Sequence, residues 1–334
     1  MTIPFTFISW NCRGGLLNHR KQHFVQSLVN KYHLSFFGLL ETKKDTVDAF
    51  LVRKLWPNLY FDFAWVPSVG PSSGLLVIWN TIILQNTVIV SGSRWICMDF
   101  TFNSLPIRHI LVYASNLASE RLSLWNELLP LSIYTGLVFI SGDFNDVLSP
   151  AERFLCTDFL PSMIAFRDFL NVAELVDLPL QGRSFTWQNS FSKSRIDRCC
   201  SSLSAVYAWS SSSLTALSRG LSDHVPILFQ SNVKIDWGPK PFRSIDSWWE
   251  HSEFSSFVKS SWDSLDSTTN PLPLVRKLKQ LRERIKTWNT DVYGDQNKKK
   301  TELSAEVAQL DIIADSRSLL VGEIERLADI KSQL

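Results

Sequence analysis

LVFISGDFN, at residues 137–145, is the stretch that decides the fold. An uncharged apolar run begins at Leu137, a glycine follows it, and Asp143 and Asn145 come at once. Such a run is typical of a strand buried on both faces, and open α/β sheets place their chemistry at the ends of such strands. Side chains two apart on extended backbone point the same way, so these two residues would face one phosphate or one metal-bound water. An Asx turn after a core strand explains the same residues without chemistry.

Polar side chains close other predicted buried strands as well. Asn11 ends FTFISWN, Glu41 follows SFFGLL, and Tyr113 ends the strand that begins near Ile107. Asn116 lies just beyond Tyr113, in a segment able to contact phosphate. The structural alternative for Glu41 is the start of a helix, which ETKKDTVDAF predicts near Thr42 or Asp45.

Two later segments add a carboxylate inside a strand and a histidine before one. Asp197 lies in RIDRCC, a β-like stretch where an ionised carboxylate is costly unless another group pairs with it. Asp223 and His224 precede the apolar strand of LSDHVPILF, and His224 is a candidate partner for Asp197. A lone histidine is more often structural, but the repetition of polar groups at strand ends favours a functional site.

These residue types suit metal-assisted hydrolysis of a phosphodiester. Glu41, with Asn11 and Asp223, would supply oxygen ligands for Mg²⁺, with Mn²⁺ as the alternative ion. Asp143 with Asn145 would orient or deprotonate water. His224, oriented by Asp197, would donate to the phosphate, since a neighbouring carboxylate favours the imidazolium.

The composition is typical of a soluble globular protein. The 334 residues are 45% hydrophobic and 20% charged, and no apolar run reaches the length of a membrane span. The N-terminus lacks the basic region of a signal peptide, and the five cysteines form no CxxC pair. We therefore expect an intracellular, nuclear protein that is not secreted, has reduced thiols and uses no membrane.

The composition shifts near Ile235, which predicts two regions. Residues 1–234 would form the catalytic domain, and residues 235–334 a Trp/Pro-rich linker followed by a helical hairpin or a coiled-coil connector. Residues 276–300 hold nine Lys or Arg against three Asp or Glu. Such a segment suits a polyanionic partner, although a solvated helix face gives the same count.

Six short motifs in this order resemble the endonuclease/exonuclease/phosphatase superfamily: SWNCRG, LLETK, VYASN, SGDFN, SRIDR and SDHVP. The resemblance implies an α/β fold, a four-layered sandwich of two mixed β-sheets flanked by helices, here followed by an α-helical C-terminal arm. It also implies that Asn11 and Glu41 serve the metal, and that Asp143, Asn145 and His224 serve the water and the phosphate. Thr186, in SFTWQN, and Arg13, in WNCRG, join Asn116 as candidate substrate contacts, and Tyr113 is counted with the catalytic residues.

Within the superfamily, the chain looks like the endonuclease of plant LINE-type (non-LTR) retrotransposons. WNCRG, FTWQN ahead of RIDR, and the connector that begins PFRSIDSWWEHSEF carry this likeness. It departs from apurinic endonucleases, which carry an acidic residue where Arg13 stands, and this weakens an assignment to DNA repair.

The first hypothesis is therefore a Mg²⁺-dependent endonuclease that nicks DNA and leaves a 3′-hydroxyl. RNA and a reverse transcriptase module of the same element are further candidate partners. The alternatives are a phosphatase or phosphodiesterase of the same superfamily, and a catalytically silent remnant that binds nucleic acid.

Overall fold

A computed structural model of the chain describes residues 4–16, 18–68, 73–231, 242, 244, 246–265, 274–293 and 296–333. These residues form fifteen strands, numbered β1 to β15 in chain order: Thr6–Asn11, Phe36–Leu40, Phe61–Val66, Leu75–Asn80, Gln85–Ser91, Trp95–Phe102, Leu105–Tyr113, Leu137–Asp143, Leu175–Asp177, Leu180–Gln181, Trp187–Gln188, Lys193–Ser194, Asp197–Ser202, Ser213–Ala216 and Ile227–Gln230. They also form ten helices, numbered α1 to α10: His19–Tyr32, Ala49–Leu55, Ala118–Ser132, Pro161–Val172, Leu203–Ala208, Asp246–Glu250, Phe254–Asp263, Leu274–Tyr293, Gln296–Ser316 and Val321–Gln333.

Most of the strands belong to two mixed sheets. The first has seven strands in the order β10-β14-β15-β1-β2-β4-β3, and the second has six in the order β5-β6-β7-β8-β13-β9. β11 and β12 form a separate two-stranded hairpin. The first sheet has two parallel pairs, β1 with β2 and β10 with β14, and the second has one, β7 with β8; the other pairs are antiparallel.

Alternating side chains explain why the two sheets stack. Phe7 of β1 faces a cluster between the sheets, together with Phe36 and Phe139, while Ile8 and Trp10 face the other side. That outer side packs against α1 and α2, and the outer side of the second sheet packs against α3 and α4. The predicted four-layered sandwich of two mixed sheets with helices outside is confirmed.

Gly142 is required by the close approach of β7 and β8. Its φ is +141°, and a Cβ built there would lie 2.0 Å from the carbonyl oxygen of Val112. A side chain at this position is therefore excluded by both backbone conformation and space. Because residue 142 is a glycine, β8 stays paired with β7 as far as Asp143, which lies directly opposite Tyr113.

The helix predicted near Thr42 or Asp45 begins later, at Ala49, and Asp48 caps it by accepting from the backbone N–H of Leu51. Glu41 and Lys43 have φ values of +52° and +51°, in the left-handed region, which is incompatible with a helix at that point. Instead, the backbone N–H groups of Thr42 and Lys43 donate to the carbonyls of Gly74 and Ser73.

Contacts divide the chain into two compact units, Met1–Ile235 with Ile312–Ser318, and Asp236–Asp311 with Leu319–Leu334. The predicted boundary near Ile235 and the first residues of the predicted Trp/Pro-rich linker lie largely outside the described residues. In the second unit α8 packs Ile285 and Trp288 against Trp248 and Phe254. Leu303, Val307 and Leu310 of α9 pack against Ile330 of α10. Of the helices in the described ranges, none is long and apolar enough to cross a membrane.

Candidate active site

The polar residues singled out in the sequence meet at one edge of the two sheets. The parallel strands β1 and β2 end together at Asn11 and Leu40, and β7 and β8 end together at Tyr113 and Asp143. Asp197 opens β13, whose antiparallel register places it opposite Asp143. His224 precedes β15, which pairs with β1. Strand ends from both sheets therefore surround a single cleft.

Asn11 connects the two sheets across this cleft. Its Nδ2 donates to Glu41 Oε1 and to Asp143 Oδ2, both at 3.0 Å, while its Oδ1 accepts from the backbone N–H of Arg13 at 3.0 Å. The amide thus turns its nitrogen, which has no lone pair for a cation, toward the carboxylates. The prediction that Asn11 is an oxygen ligand of the metal does not fit this orientation; Asn11 aligns the two carboxylates instead.

Asp143 is a buried carboxylate with a second fixed contact. Its Oδ1 accepts from the backbone N–H of Asn145 at 3.0 Å, which is the Asx turn considered as the structural alternative. The turn places Asn145 at a φ of +49°, and its Nδ2 donates to the carbonyl of Ala114 at 2.8 Å. The strand ends at Asp143, so the predicted alternation of side chains does not extend to Asn145. Nevertheless, both residues line the cleft.

Burial raises the pKa of Asp143 to about 7; Asp197 adds to the shift, while His224 and the amide of Asn11 oppose it. At neutral pH the carboxyl group therefore lies close to its own titration point. A group in this range can take a proton from water and release it again.

His224 and Asp197 form a buried pair. The Nδ1–H of His224 donates to both carboxylate oxygens of Asp197, at 3.0 and 2.9 Å. This leaves Nε2 pointing toward Asp143, 3.8 Å from its Oδ2. Burial lowers the pKa of His224, but Asp197 and Asp143 outweigh it and raise the value to about 9. His224 is thus an imidazolium at neutral pH, with one N–H available in the cleft.

Glu41 and Tyr113 complete the opposite wall. Tyr113 donates its hydroxyl to Glu41 Oε1 at 2.9 Å, and burial, with Glu41 and Asp143 nearby, raises the pKa of Tyr113. Both contacts of Glu41 use Oε1, and Oε2 has no hydrogen bond within the described ranges. A half-buried carboxylate with one oxygen turned to a cleft suits a hard divalent cation such as Mg²⁺ or Mn²⁺.

Asp143, Asp197 and His224 offer a second arrangement, since one ligand atom of each lies within 4.8 Å of the others. Here the Nδ1–H of His224 already occupies both oxygens of Asp197. A cation among these three groups would have to break that pair and would lie beside an imidazolium. The three residues therefore fit a proton-transfer chain better than a metal site, and Glu41 is the better anchor for the ion.

Thr186 is not among the residues that line the cleft. Its side chain is 0% exposed, and its Oγ1 accepts from the backbone N–H groups of Ile196 and Asp197 at 3.1 and 2.9 Å. The prediction that Thr186 binds substrate is therefore corrected, because its hydroxyl positions the start of β13 behind Asp197.

Asp223 and Arg13 also differ from their predicted roles. The guanidinium of Arg13 pairs with Asp223 Oδ2, and the same oxygen accepts from the indole N–H of Trp187 at 2.8 Å. Asp223 was predicted as a metal ligand and Arg13 as a phosphate contact. In the structure the two side chains form an ion pair with each other instead.

The cleft has a volume of about 600 Å³. Asn116 lies on its wall, as do six residues that were not predicted from the sequence: Lys43, Arg153, Trp187, Ser192, Ser194 and Ile196. Lys43 lies in the motif LLETK and Trp187 in SFTWQN, so the sequence placed both residues near the site but did not indicate a role for either. Nothing in the sequence around Arg153 distinguished it from a surface arginine.

Comparisons with known proteins agree with this architecture. Three solved structures illustrate the likeness. AP endonuclease LMAP from Leishmania major has a TM-score of 0.55 at 16% identity, over 68% of this chain and 87% of that chain. The endonuclease domain of TRAS1, a telomere-specific non-LTR retrotransposon, has a TM-score of 0.52 at 10% identity, over 70% and 100%. The 3′ phosphatase NExo from Neisseria, bound to product DNA hairpin, has a TM-score of 0.51 at 18% identity, over 70% and 100%.

At such identities these structures share the fold. No curated protein sequence matches the chain. The model of the Endonuclease/Exonuclease/phosphatase family matches residues 8–224, about two thirds of the chain, from within β1 to His224. The chain belongs to the Endonuclease/Exonuclease/phosphatase family.

Proposed function

We propose that this chain is a Mg²⁺-dependent endonuclease that hydrolyses DNA phosphodiester bonds, leaves a nick with a 3′-hydroxyl, and derives from a plant LINE-type retrotransposon. The observation that carries the proposal is the chain from Asp197 through His224 to Asp143, facing Glu41 across one cleft. We also propose that it acts in the nucleus, where its substrate is found.

The residues divide the work of hydrolysis. Asp143, with its pKa near neutrality, accepts the proton of the attacking water. His224 donates its Nε2–H to a phosphate oxygen and so stabilises the charge that develops there, while Asp197 keeps the ring in place. Tyr113 and Asn116 contact the phosphate or the leaving group. A divalent cation on Glu41 would supply Lewis-acid stabilisation of the same phosphate.

DNA is the proposed substrate for two reasons. Lys43 and Arg153 line the cleft together with Trp187, and cations beside an aromatic ring suit a nucleic-acid strand. Among the proteins with this fold, the 3′ phosphatase NExo is described as bound to a product DNA hairpin, and the TRAS1 domain is described as the endonuclease of a retrotransposon. The likeness of WNCRG and FTWQN to plant LINE endonucleases supports the proposed descent.

The test is the nicking of supercoiled plasmid by the full chain, in Mg²⁺, Mn²⁺ or EDTA. We expect open circles with either ion and none with EDTA. Asp143→Asn should lower the rate by about 10²- to 10⁴-fold, the usual contribution of an acid–base group. Asp62→Asn is the matched control, because Asp62 lies exposed on β3, outside the residues that line the cleft, and it should cleave at the wild-type rate. Extension of the nick by a DNA polymerase tests for the 3′-hydroxyl.

Thermal unfolding separates catalysis from folding. Because burial makes the charged form of Asp143 unfavourable, Asp143→Asn should melt at the wild-type temperature or above it. A folded protein that leaves plasmid intact in both ions contradicts the proposal. Cleavage of phosphomonoesters would then indicate a phosphatase, and binding without cleavage a silent remnant.

A further inference from the structure

Arg13 and Asp223 form a charge pair inside the cleft that the proposed chemistry does not use. Arg13 is 60% exposed and Asp223 only 12%, and both line the cleft with Glu41. The guanidinium and the indole N–H of Trp187 meet on the same oxygen of Asp223. A carboxylate that sequence reasoning assigned to the metal is therefore already neutralised by a cation of the protein itself.

The backbone of Arg13 is fixed where this pair requires it. Its φ is +28°, an uncommon value for a residue with a side chain. The Nζ of Lys21 donates to the carbonyls of Cys12 and Arg13, and the N–H of Arg13 donates to Asn11 Oδ1. The same turn thus holds Arg13 and orients the amide that aligns Glu41 with Asp143. The pair belongs to the site and is more than an incidental surface contact.

We propose that Arg13 limits this cleft to one divalent cation, held by Glu41, by occupying Asp223 with a permanent positive charge. The inference rests on the proposed metal-dependent function. A second cation at Asp223 would have to displace the guanidinium and would then lie beside it, where like charges repel.

The test is the stoichiometry of Mn²⁺ binding to the full chain, by titration calorimetry and by the EPR signal of free Mn²⁺. The wild type should bind one ion. Arg13→Gln removes the charge from a largely exposed side chain and should bind two ions, because Asp223 becomes available. The double variant Arg13→Gln, Asp223→Asn should return to one. Arg153→Gln is the matched control: it removes an arginine that lines the same cleft beside Ser194, and it should still bind one ion.

A second variant tests the inference should Arg13→Gln lose its fold. Asp223→Asn alone should still bind one Mn²⁺ ion, because the inference places that ion on Glu41 and not on Asp223. Two ions in the wild type, one ion in folded Arg13→Gln, or no bound ion in folded Asp223→Asn each overturn the inference. Plasmid nicking with two bound ions would overturn it while the proposed function stands, and no bound ion with no nicking would overturn both.

Discussion

At the scale of the residue, the site places two buried titratable groups, Asp143 and His224, next to each other. Asp143 is pushed toward its neutral form by burial, and His224 is held in its charged form by Asp197. The Nε2 of His224 lies 3.8 Å from Asp143 Oδ2, so each group influences the other. A site with a base near neutrality and an imidazolium beside it can both activate water and stabilise a phosphorane-like charge at one pH.

Asp197→Asn should reverse the charge state of His224. The wild-type pKa is raised to about 9, so the imidazolium is present below that value and is lost as the pH rises through it. Without the carboxylate, burial dominates and the pKa should fall, so a neutral ring appears at lower pH. Titration of the imidazole resonances by NMR in the metal-free protein measures this shift. The signal of His109 provides an internal reference, and an unchanged titration of His224 would contradict the assigned cause.

Particular residues show what the sequence can and cannot reveal. Asn11, Glu41, Tyr113 and Asp143 were predictable because each follows an apolar run, and strand ends meet at sheet edges. Thr186 was misassigned because nothing in SFTWQN shows that its hydroxyl is used by two backbone amides. The orientation of Asn11 and the pairing of Arg13 with Asp223 depend on contacts across more than 100 positions, which local sequence does not encode.

At the scale of the element, the start of β13 depends on Thr186, the residue immediately before β11. Its hydroxyl accepts hydrogen bonds from two backbone N–H groups at the start of β13. Thr186→Val keeps the shape but leaves both amides without an acceptor, which costs about 1–3 kcal/mol for a buried donor. The free energy of unfolding in urea should fall by that amount, and nicking should slow because Asp197 is displaced. Thr186→Ser retains the oxygen and should restore both; equal activity of the valine variant would contradict the positioning role.

His109 lies between the two sheets and links stability to pH. It belongs to β7, contacts Ser141 Oγ through Nε2 at 2.8 Å, and packs its ring against Phe7 and Phe36 of the other sheet. Burial lowers the pKa of His109 to about 3, so the folded protein keeps the ring neutral. The unfolded chain binds a proton below about pH 6.5, which favours unfolding. The contribution of His109 to the free energy of unfolding is therefore fully present above about pH 6.5 and is lost as the pH falls below it.

Urea unfolding at pH 7.5 and 5.5 measures this effect. The wild type should lose about 1.4 kcal/mol more than His109→Gln between these pH values, since one proton is taken up by the unfolded wild type alone. Other groups titrate equally in both proteins and cancel in the difference. The same loss in both proteins would mean that His109 is protonated in the fold.

An element boundary was predictable where the apolar run was uninterrupted, as at the start of β8 at Leu137. The predicted helix start was wrong at Thr42–Asp45, where the left-handed conformations of Glu41 and Lys43 delay the helix to Ala49. The order of strands in the sheets was not predictable from local patterns, since β15 pairs with β1 over more than 200 residues. The sandwich itself followed from the family resemblance.

At the scale of the whole molecule, the second unit contains one strongly basic segment, residues 276–300. The net charge of the chain is only +2, yet nine Lys or Arg fall within residues 276–300. On α8, Ile285 and Trp288 are buried, while Arg276 and Lys279 are exposed on the other side of the helix. The helix thus packs through one face and offers a cationic face to a polyanion. We propose that this face adds affinity for the DNA backbone.

Neutralising this face should change the salt dependence of DNA binding. Each phosphate contact contributes about 0.9 to the slope of log K against log salt on duplex DNA. Arg276→Gln, Lys279→Gln and Lys286→Gln together should therefore flatten the slope by up to about 3 in fluorescence anisotropy titrations from low to moderate salt. The matched triple Lys31→Gln, Arg53→Gln and Lys54→Gln removes the same charge from α1 and α2, which cover the outer face of the first sheet. If both triples flatten the slope equally, net charge alone governs binding; if only the α8 triple does, the second unit contacts DNA.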